Sequence, residues 1–427
     1  MSKSFYHSFA QPAMLALARA GNRGCRVDVK LRKTLVEKAL LAAAVATESL
    51  TKLLGRKVNP NSPKQVKELF YEEFRLPVQK SRPIGGYPGK PTTNDEALTK
   101  LQRLFPEHSE VISAILSYRG ETKRAAMLSV PLEVRNGESY FVTSYNATGT
   151  TTGRISSSGT ILKLGGNIQN QERGPSRRVF IARKGMVFVK SDSSQAESRV
   201  VAALCRDEAL LEKFSDPEFD IHLENAQLIY GGTLKDLAAE DLERSEGRLA
   251  DSKRRRAKGV THGANYRGGP RVAVKQAGVP YSEAKMAIGK YRATHPLLLR
   301  WWDSIETMLL STRQLRSTWG RLRIFLNRMD ESTLKAAVAH EPQSTVGDLI
   351  NHAFFRLDEE LALLDAWPLL QAHDEIVCEC WPEDVEAVAA LMKKYFEWPM
   401  TFKGIAEPLI IPSDLATGLN WYDLEKS

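Results

Sequence analysis

Residues 185–199 read GMVFVKSDSSQAESR, an apolar strand that runs directly into a helical pattern. The β-branched and apolar run up to Val189 predicts a buried strand, and SSQAESRVVAAL predicts a helix that follows at once. Asp192 lies at the junction. A carboxylate at the end of a strand is held rigidly and can still face a cleft, which makes Asp192 a candidate catalytic group. The alternative is an aspartate that only caps the following helix.

The segments before this strand are mainly helical. Residues 79–95 are rich in Gly, Pro and Lys and predict an exposed loop. Helical patterns lie at 12–55, from the cap Ser62–Pro63 onward, from Thr93 or Asn94 to Leu104, and at 108–128. The first third is therefore predicted to be a basic, helical arm.

The segments around and after the strand alternate in character. Short β-type runs lie at 138–146 and 177–182, a helical pattern covers about 195–318, further helices lie at 333–364 and 383–396, and 367–382 resembles a hairpin. This order predicts an α/β core interrupted by a helical excursion.

A second acidic site stands in the hairpin-like stretch QAHDEIVCEC, residues 371–380. His373, Asp374 and Glu375 lie at its bend, and three ionisable groups beside apolar strands are costly unless water or a metal meets them. A plain surface turn is the alternative. Asp192 and Asp374 together could hold divalent cations, because Mg²⁺ prefers hard oxygen ligands and keeps part of its shell for water and phosphates.

A third element, RRRAKGVTHGANYRGG at 254–269, places Arg254, Lys258, His262 and Tyr266 at steps of four. On a helix these side chains form one stripe. Two cations suit a polyphosphate, and the two rings suit stacking against a sugar or base. A solvated basic face would explain the cations alone. Glycines inside this helix cost about 1 kcal/mol each relative to alanine, and close approach of another molecule would be a reason to keep them.

Composition limits the class of protein. The 427 residues carry 60 Lys and Arg against 51 Asp and Glu, a net charge of +9, which favours a polyanionic partner such as nucleic acid. Neither a membrane span nor a secretory signal is visible. The four cysteines are too few and too scattered for a disulfide framework, so a reduced, cytoplasmic setting is expected and a zinc site is not.

Taken together, these segments resemble the family A DNA polymerases. The first palm motif of that family, D-Y-S-Q-I-E-x-R, is similar to DSSQAESR at 192–199. The R-x-x-x-K finger helix with its following aromatic and tyrosine resembles the stripe from Arg254 to Tyr266, and V-H-D-E resembles AHDE at 372–375. Weaker matches in the same order are NPNSPKQVKELFYEEFRLP at 59–77, TTGRISS with NIQN, DIHLENA at 220–226, Gln343, and GLNWYDL at 418–424.

The resemblance implies an α+β, right-hand polymerase fold with a helical thumb, an α/β palm built on an antiparallel sheet, and helical fingers. The expected boundaries are thumb with N-terminal lead-in at 1–140, palm at 141–205, fingers at 206–320, and the second part of the palm at 321–427. The implied activity is template-directed addition of dNTPs to the 3′ end of a primer.

Roles for individual residues follow from the same resemblance. Asp192, Asp374 and the backbone carbonyl of Ser193 would bind two Mg²⁺ ions, with Mn²⁺ as a substitute. Glu375 would support these ligands rather than join them. The residues expected at the incoming dNTP are Arg254, Lys258, His262, Tyr266, Glu197, His222 and Gln195, with Lys258 also counted as catalytic. Those expected at the primer-template are Arg154, Gln169, Gln343 and His373.

Glu197 has two interpretations. By resemblance it is a steric gate that excludes a ribose 2′-hydroxyl and so favours deoxynucleotides. Ser194 and Glu197 also form an S-x-x-E capping box, which would fix the same side chain. His262 departs from the Phe or Tyr of the family, Ser193 from its tyrosine and Arg267 from its glycine, and ILKLGG at 161–166 is an insertion without a family counterpart.

The expected partners are primer-template DNA and dNTPs, with no membrane. Little sequence precedes the thumb-like segment and it carries no carboxylate pair, so no proofreading exonuclease is expected in this chain. By analogy, such a compact polymerase suggests a phage or similar replicon, in which a separately encoded exonuclease, helicase or processivity factor could act with it. Two alternatives remain open: a single-subunit RNA polymerase-like enzyme, and a catalytically dead polymerase fold that binds nucleic acid.

Overall fold

A computed structural model describes residues 5–81, 88–245 and 252–426. The first third of the chain is mostly helical, as expected. Its elements are a π-helical turn at Tyr6–Ala10, α1 (Gln11–Arg23), β1 (Cys25–Val27), α2 (Val29–Leu54), α3 (Pro63–Lys67) extended by a π-helical turn at Glu68–Glu73, α4 (Asp95–Leu104), a 3₁₀ turn at Pro106–His108, and α5 (Ser109–Leu128).

The single helical segment expected at 12–55 is wrong, because β1 divides it. Gly24 ends α1 with φ of 68°, a conformation that glycine adopts without strain. Asp28 then caps α2 by accepting a hydrogen bond from Leu31 N–H. The two other expected caps are confirmed, Ser62 at α3 and Asn94 at α4. In the loop expected at 79–95, the described residues are mostly exposed, and residues 82–87 lie outside the described part of the chain.

Six strands follow in the middle of the chain. They are β2 (Glu133–Arg135), β3 (Glu138–Phe141), β4 (Ser144–Asn146), β5 (Ser156–Ser158), β6 (Phe180–Ile181) after a 3₁₀ turn at Pro175–Val179, and β7 (Val187–Ser193). β1, β2, β3 and β6 form one small sheet in the order β2-β3-β1-β6, and β4 pairs with β5. Thus β1, which lies between α1 and α2 in the chain, pairs with strands from the middle of the chain.

The predicted helical excursion follows β7. It comprises α6 (Ala196–Cys205), α7 (Glu208–Lys213), α8 (Ile221–Tyr230), α9 (Leu234–Ser245), α10 (Lys253–Asn265), α11 (Pro270–Ala277), α12 (Tyr281–Thr294) and α13 (Pro296–Thr312). Apart from α7, these helices share one apolar core that includes Val260, Tyr291 and Trp302.

The chain then returns to the strands. The remaining elements are β8 (Gln314–Arg316), β9 (Leu322–Ile324), α14 (Glu331–Val338), α15 (His340–Glu360), 3₁₀ turns at Leu361–Leu364 and Pro382–Asp384, β10 (Trp367–Ala372), β11 (Glu375–Cys380), α16 (Val385–Phe396), β12 (Ser413–Gly418) and β13 (Glu425–Lys426). β10 and β11 form the hairpin expected at 367–382.

An antiparallel sheet of five strands, in the order β10-β11-β7-β12-β13, forms the centre of the molecule. β7 is its middle strand, and Asp192 is in register with Glu375 on β11 and with Asp414 on β12. Residues directly opposite one another in neighbouring strands project from the same face. The sheet therefore gathers three carboxylates on one face, while the buried α15 and α16 pack in the core beside it.

Two helical units flank this sheet, and the mixed architecture agrees with the α+β expectation. α2 and α5 pack along each other in the first unit, with a core that includes Leu50 and Ile112. Within the part of the chain that the structure describes, no helix is long and apolar enough to cross a membrane.

Candidate active site

Asp192 and Asp374 lie near each other at the ends of neighbouring strands of the central sheet. Asp192 is the penultimate residue of β7, and Asp374 lies in the two-residue turn between β10 and β11. That turn is tight, because His373 adopts a left-handed φ of 64°. The backbone N–H of Ser193 donates a hydrogen bond of 3.2 Å to the carbonyl of Asp374. The strand pairing therefore brings together two aspartates that are far apart in the chain.

The carboxylate of Asp192 is only partly compensated, because the positive charges of Lys190 and Arg173 offset only part of the cost of its burial. Its Oδ1 is buried and has no hydrogen-bond partner among the described residues. Burial raises the pKa of Asp192 to about 7, with further contributions from the negative charges of Asp374 and Glu375. A buried anion beside other carboxylates is unfavourable unless a cation compensates it. Hard oxygen donors that need a positive charge fit a divalent cation such as Mg²⁺.

Glu375 is placed differently from the two aspartates. It is buried, and its Oε1 accepts a hydrogen bond of 2.6 Å from Trp421 Nε1. Arg177 Nη1 lies 3.3 Å from the same oxygen, and Lys190 Nζ lies 3.6 Å from Oε2. Both carboxylate oxygens of Glu375 are therefore engaged within the chain.

A cavity of about 450 Å³ opens beside the aspartates. Of the residues singled out in the sequence, it is lined by Arg154, Asp192, Ser193, Gln195, Glu197, His222, Arg254, Lys258, His262, His373 and Asp374. The two aspartates and the cationic side chains of α10 thus share one space.

α10 forms the cationic wall of this cavity. Arg254, Lys258 and His262 lie on one face of the helix, and Tyr266 follows directly after its end. Arg254 donates to Asp220, with Nε at 2.9 Å from Oδ2, and its Nη1 lies 3.4 Å from Asp241. These contacts fix the guanidinium while it still faces the cavity.

Two of the three histidines that line the cavity, His222 and His262, are expected to be neutral at pH 7. Burial lowers the pKa of His222 to about 4, and the positive charge of Lys258 adds to the effect. Burial also lowers the pKa of His262, together with Arg154 and Lys258. A neutral imidazole can still donate one hydrogen bond to a phosphate or sugar oxygen.

Glu197 is held by its neighbours in the cavity and not by a capping box. The N-cap of α6 is Gln195, and Ser194 makes no side-chain cap there, so the predicted box is wrong. The local backbone explains this, since Gln195 takes a left-handed φ of 54° that breaks the required geometry. Glu197 instead accepts hydrogen bonds from Arg154 and from the hydroxyl of Tyr266. It lies 3.6 Å from Nδ1 of His262.

Three glutamines were expected to contact the nucleotide or the primer-template, and the structure gives each of them a different environment. Gln195 bridges to the start of α8, because its Oε1 accepts from Ile221 N–H at 2.9 Å and its Nε2 donates to the Phe219 carbonyl. Gln169 is buried and donates to Gln371, which in turn donates to the carbonyl of His373. Gln343 is half-buried, one turn before the part of α15 that lines the cavity.

The two helix-interior glycines of α10 serve packing within the chain. A Cβ on Gly259 would lie 2.9 Å from the Cα of Ala277, and one on Gly263 would lie 2.5 Å from Oε1 of Gln276. Both neighbours belong to the α11 segment. The explanation drawn from the sequence, close approach of another molecule, is therefore replaced by close approach of the next helix.

Sequence reasoning missed two charged residues that line the cavity, Arg173 and Asp414. Arg173 Nη2 lies 4.0 Å from Oδ1 of Asp374. Asp414 enters the site through its register with Asp192, which no local pattern encodes. The only available signal for Arg173 was its place in the basic run ERGPSRR. Across the described residues, no group of three or more His, Cys, Asp or Glu side chains is placed to hold a metal ion.

Comparison with known proteins gives consistent results. The family model described as DNA polymerase family A matches residues 31–423. The chain is 31% identical over 414 residues to "DNA polymerase I, thermostable" of Thermus thermophilus, covering 92% of this chain and 46% of that protein. It is 26% identical to DNA polymerase I of Synechocystis sp., covering 99% of this chain and 42% of the relative. The chain thus spans just under half the length of these relatives.

A solved structure shows the same fold. The polymerase domain of Pol1 from M. smegmatis, in complex with DNA primer-template and dNTP, matches with a TM-score of 0.80 and 22% identity. The match covers 98% of this chain and 71% of the other. The expected right-hand fold is confirmed by this similarity.

Proposed function

The chain belongs to DNA polymerase family A, and on that premise we propose that it extends a primer 3′ end with dNTPs under the direction of a template. One observation carries the proposal. The carboxylate of Asp192, whose Oδ1 has no hydrogen-bond partner among the described residues, faces the same cavity as Arg254 and Lys258, so a site for cations would adjoin a site for polyphosphate. Joining two such ligands in one space is what nucleotidyl transfer requires.

Family A polymerases generally use divalent metals, and the donor set here fits them. Asp192, Asp374 and the backbone carbonyl of Ser193 would hold two Mg²⁺ ions, for which Mn²⁺ could substitute. When bound, the ions would lower the pKa of the primer 3′-hydroxyl and neutralise charge on the departing pyrophosphate. Glu375, fixed by Trp421, would keep the strand ends in place around them.

The side chains of α10 would orient the incoming nucleotide. Arg254 and Lys258 would bind the β- and γ-phosphates, and the neutral imidazole of His222 would donate to a phosphate oxygen. His262 and Tyr266 would contact the sugar and the templating base. Because Arg254, Lys258 and His262 are already arranged on one helix, little reorganisation of these three side chains would accompany the reaction.

Contacts to the primer-template are proposed for four residues. Arg154 and His373 line the cavity and would touch DNA near the primer terminus. Gln343 would contact it from α15. Gln169 is buried against Gln371, so it would act by holding the turn that carries His373.

The division of labour along the chain is also a proposal. The thumb with its lead-in is assigned to 1–140, the palm to 141–205 and 321–427, and the fingers to 206–320. The packing of α2 against α5 supports a separate thumb. The lead-in helix α1 packs against α15 and β10, so it would brace the palm.

Primer extension tests the proposal directly. Purified protein, a 5′-labelled primer on a longer template, Mg²⁺ and dNTPs should give extended products, and rNTPs in place of dNTPs should give far fewer. Efficient extension with rNTPs would favour the RNA polymerase-like alternative. Tight primer-template binding without any extension would favour the dead-fold alternative.

Glu197→Ala is expected to weaken discrimination between sugars. A fixed carboxylate against C2′ leaves no room for a further oxygen, and steric overlap of this kind costs about 1–3 kcal/mol. The ratio of rNTP to dNTP incorporation, measured as kcat/KM for each, should therefore rise roughly 10- to 100-fold.

Glu197→Gln provides the matched control, because it keeps the size of the side chain and removes its charge. The glutamine variant should retain most of the discrimination. A glutamine variant as permissive as the alanine variant would contradict a steric gate and point instead to the charge that holds Arg154 and Tyr266.

A further inference from the structure

A second cavity, of about 290 Å³, adjoins Asp192. It shares Asp192, Arg173 and Asp414 with the larger cavity. Lys190, which lines only the second cavity, precedes Asp192 by two residues on β7 and so lies on the same face, roughly 7 Å away. The larger cavity extends past the C-terminal end of β7, toward α6 and α10. Asp192 therefore stands between a cavity facing the cationic helix and a cavity lying behind it.

The second cavity carries an excess of positive charge. Its cationic members are Arg173, Arg177, Lys190 and Lys426. Glu375 faces two of them, with Arg177 at 3.3 Å and Lys190 at 3.6 Å. The two remaining acidic members are Asp192 and Asp414. An oxygen of Asp414 lies 3.6 Å from Nζ of Lys426. Once cations compensate Asp192, these groups attract an anion.

Two further observations suit an exchangeable anion rather than a closed ion-pair network. Lys426 keeps 80% of its side chain exposed, so it is free to move toward a ligand. Arg177 keeps only 10% exposed, and its Nε has no hydrogen-bond partner among the residues described. The exposed Lys426 and the buried Arg177 together suit a ligand that binds and dissociates repeatedly.

The geometry of the reaction identifies the anion. In-line transfer places the attacking and leaving oxygens on opposite sides of the reacting phosphorus. With the triphosphate on the side of Arg254 and Lys258, the primer 3′-hydroxyl would approach the reacting phosphorus from the side away from α10, and the second cavity contains no residue of that helix. The phosphodiesters directly behind that hydroxyl then pass over the second cavity.

We propose that Lys190 and Lys426, backed by Arg177, form a site for the last backbone phosphates of the primer strand. The inference rests on the proposed function and extends it to a subsite behind the metal ligands. Phosphate contacts of this kind fix the position of the strand without reading sequence. The site would hold the 3′-hydroxyl in line while the template and nucleotide change at each step.

Neutral backbone linkages test this site. Primers carry a single methylphosphonate in place of one of the last three phosphodiesters, and their dissociation constants on template are measured with wild-type protein and with K190M/K426M. In the wild type, a neutral linkage over the site should weaken binding several-fold. In the double variant the same linkage should cost little, because the cations it would have met are gone.

Salt dependence supplies a second readout. Each phosphate contact removed should reduce the loss of affinity between about 50 and about 200 mM salt by roughly threefold. Lys184→Met is the matched control, since Lys184 is an exposed lysine in the turn before β7 and lines neither cavity. It should keep the wild-type salt slope and the wild-type methylphosphonate penalties.

The outcomes separate this site from the function on which it rests. If wild-type protein does not extend the unmodified primer, the proposed function itself is wrong. If it extends the primer but the methylphosphonate penalties are the same in wild type and K190M/K426M, only the phosphate site is wrong. Lys190→Met could loosen Glu375, so Lys426→Met alone is measured as well. Because Lys426 is exposed, its replacement should not disturb the fold. Lys426→Met alone should give about half of the reduction in methylphosphonate penalty that the double variant shows.

Discussion

Asp192→Asn is expected to reduce primer extension by roughly 10³-fold or more, because an amide cannot replace the charge that holds the cations. The structure gives this variant an unusual second effect. When no cation is bound, Lys190 and Arg173 offset only part of the cost of burying the Asp192 carboxylate, so its replacement by a neutral isostere should stabilise the metal-free protein. Loss of activity together with a higher melting temperature is the expected signature.

The pH dependence of this stability follows from the direction of the pKa shift. In the unfolded chain the pKa of an aspartate is about 3.9, and in the folded protein that of Asp192 is raised to about 7. The folded state therefore binds the proton more tightly, and metal-free stability should decrease as pH rises from about 4 to about 7. Asp192→Asn should lack this decrease.

Thermal unfolding with and without Mg²⁺ completes the test. Mg²⁺ should raise the melting temperature of the wild type and leave that of Asp192→Asn almost unchanged, since ligand binding stabilises only a state that binds it. Asp365→Asn is a suitable control, because Asp365 bonds to the indole of Trp381 away from the cavity. Retained extension by Asp192→Asn, or an equal response of both proteins to Mg²⁺, would contradict the assignment.

Sequence patterns were sufficient where the chemistry is local. The strand ending at Asp192, the hairpin carrying Asp374 and the helical stripe from Arg254 to Tyr266 are each encoded within about fifteen residues. Apolar periodicity and turn residues therefore predicted their form. Periodicity did not predict that these three segments would meet at one cavity. That prediction came from the family resemblance.

Contacts between distant segments were beyond the reach of those patterns. Asp414 joins the site because β12 pairs with β7 in one particular register, and register depends on the whole sheet. The capping box failed at Gln195 for a related reason, since the tertiary bonds of Gln195 to Phe219 and Ile221 accompany a left-handed backbone there. The break at Gly24 was missed because helical patterns continue on both sides of a strand only three residues long.

Lys258→Met is the second variant with a large expected effect. Lys258 lies on the exposed face of α10 between Arg254 and His262, where it would neutralise charge that develops on the leaving phosphates. Removing one preorganised charge of this kind costs roughly 10²–10³-fold in rate. We expect kcat/KM for dNTPs to fall by that amount, while the dissociation constant of primer-template DNA changes little.

The comparison of three variants separates charge from helix packing. Lys258→Arg keeps the charge and should recover part of the activity, although a planar guanidinium does not reproduce a compact ammonium. Lys253→Met removes a lysine from the first turn of the same helix, where it pairs with Glu240 at 3.3 Å, and should leave kcat/KM close to wild type. If Lys253→Met lost as much activity as Lys258→Met, general loss of helix charge would explain both, and the triphosphate contact assigned to Lys258 would be wrong.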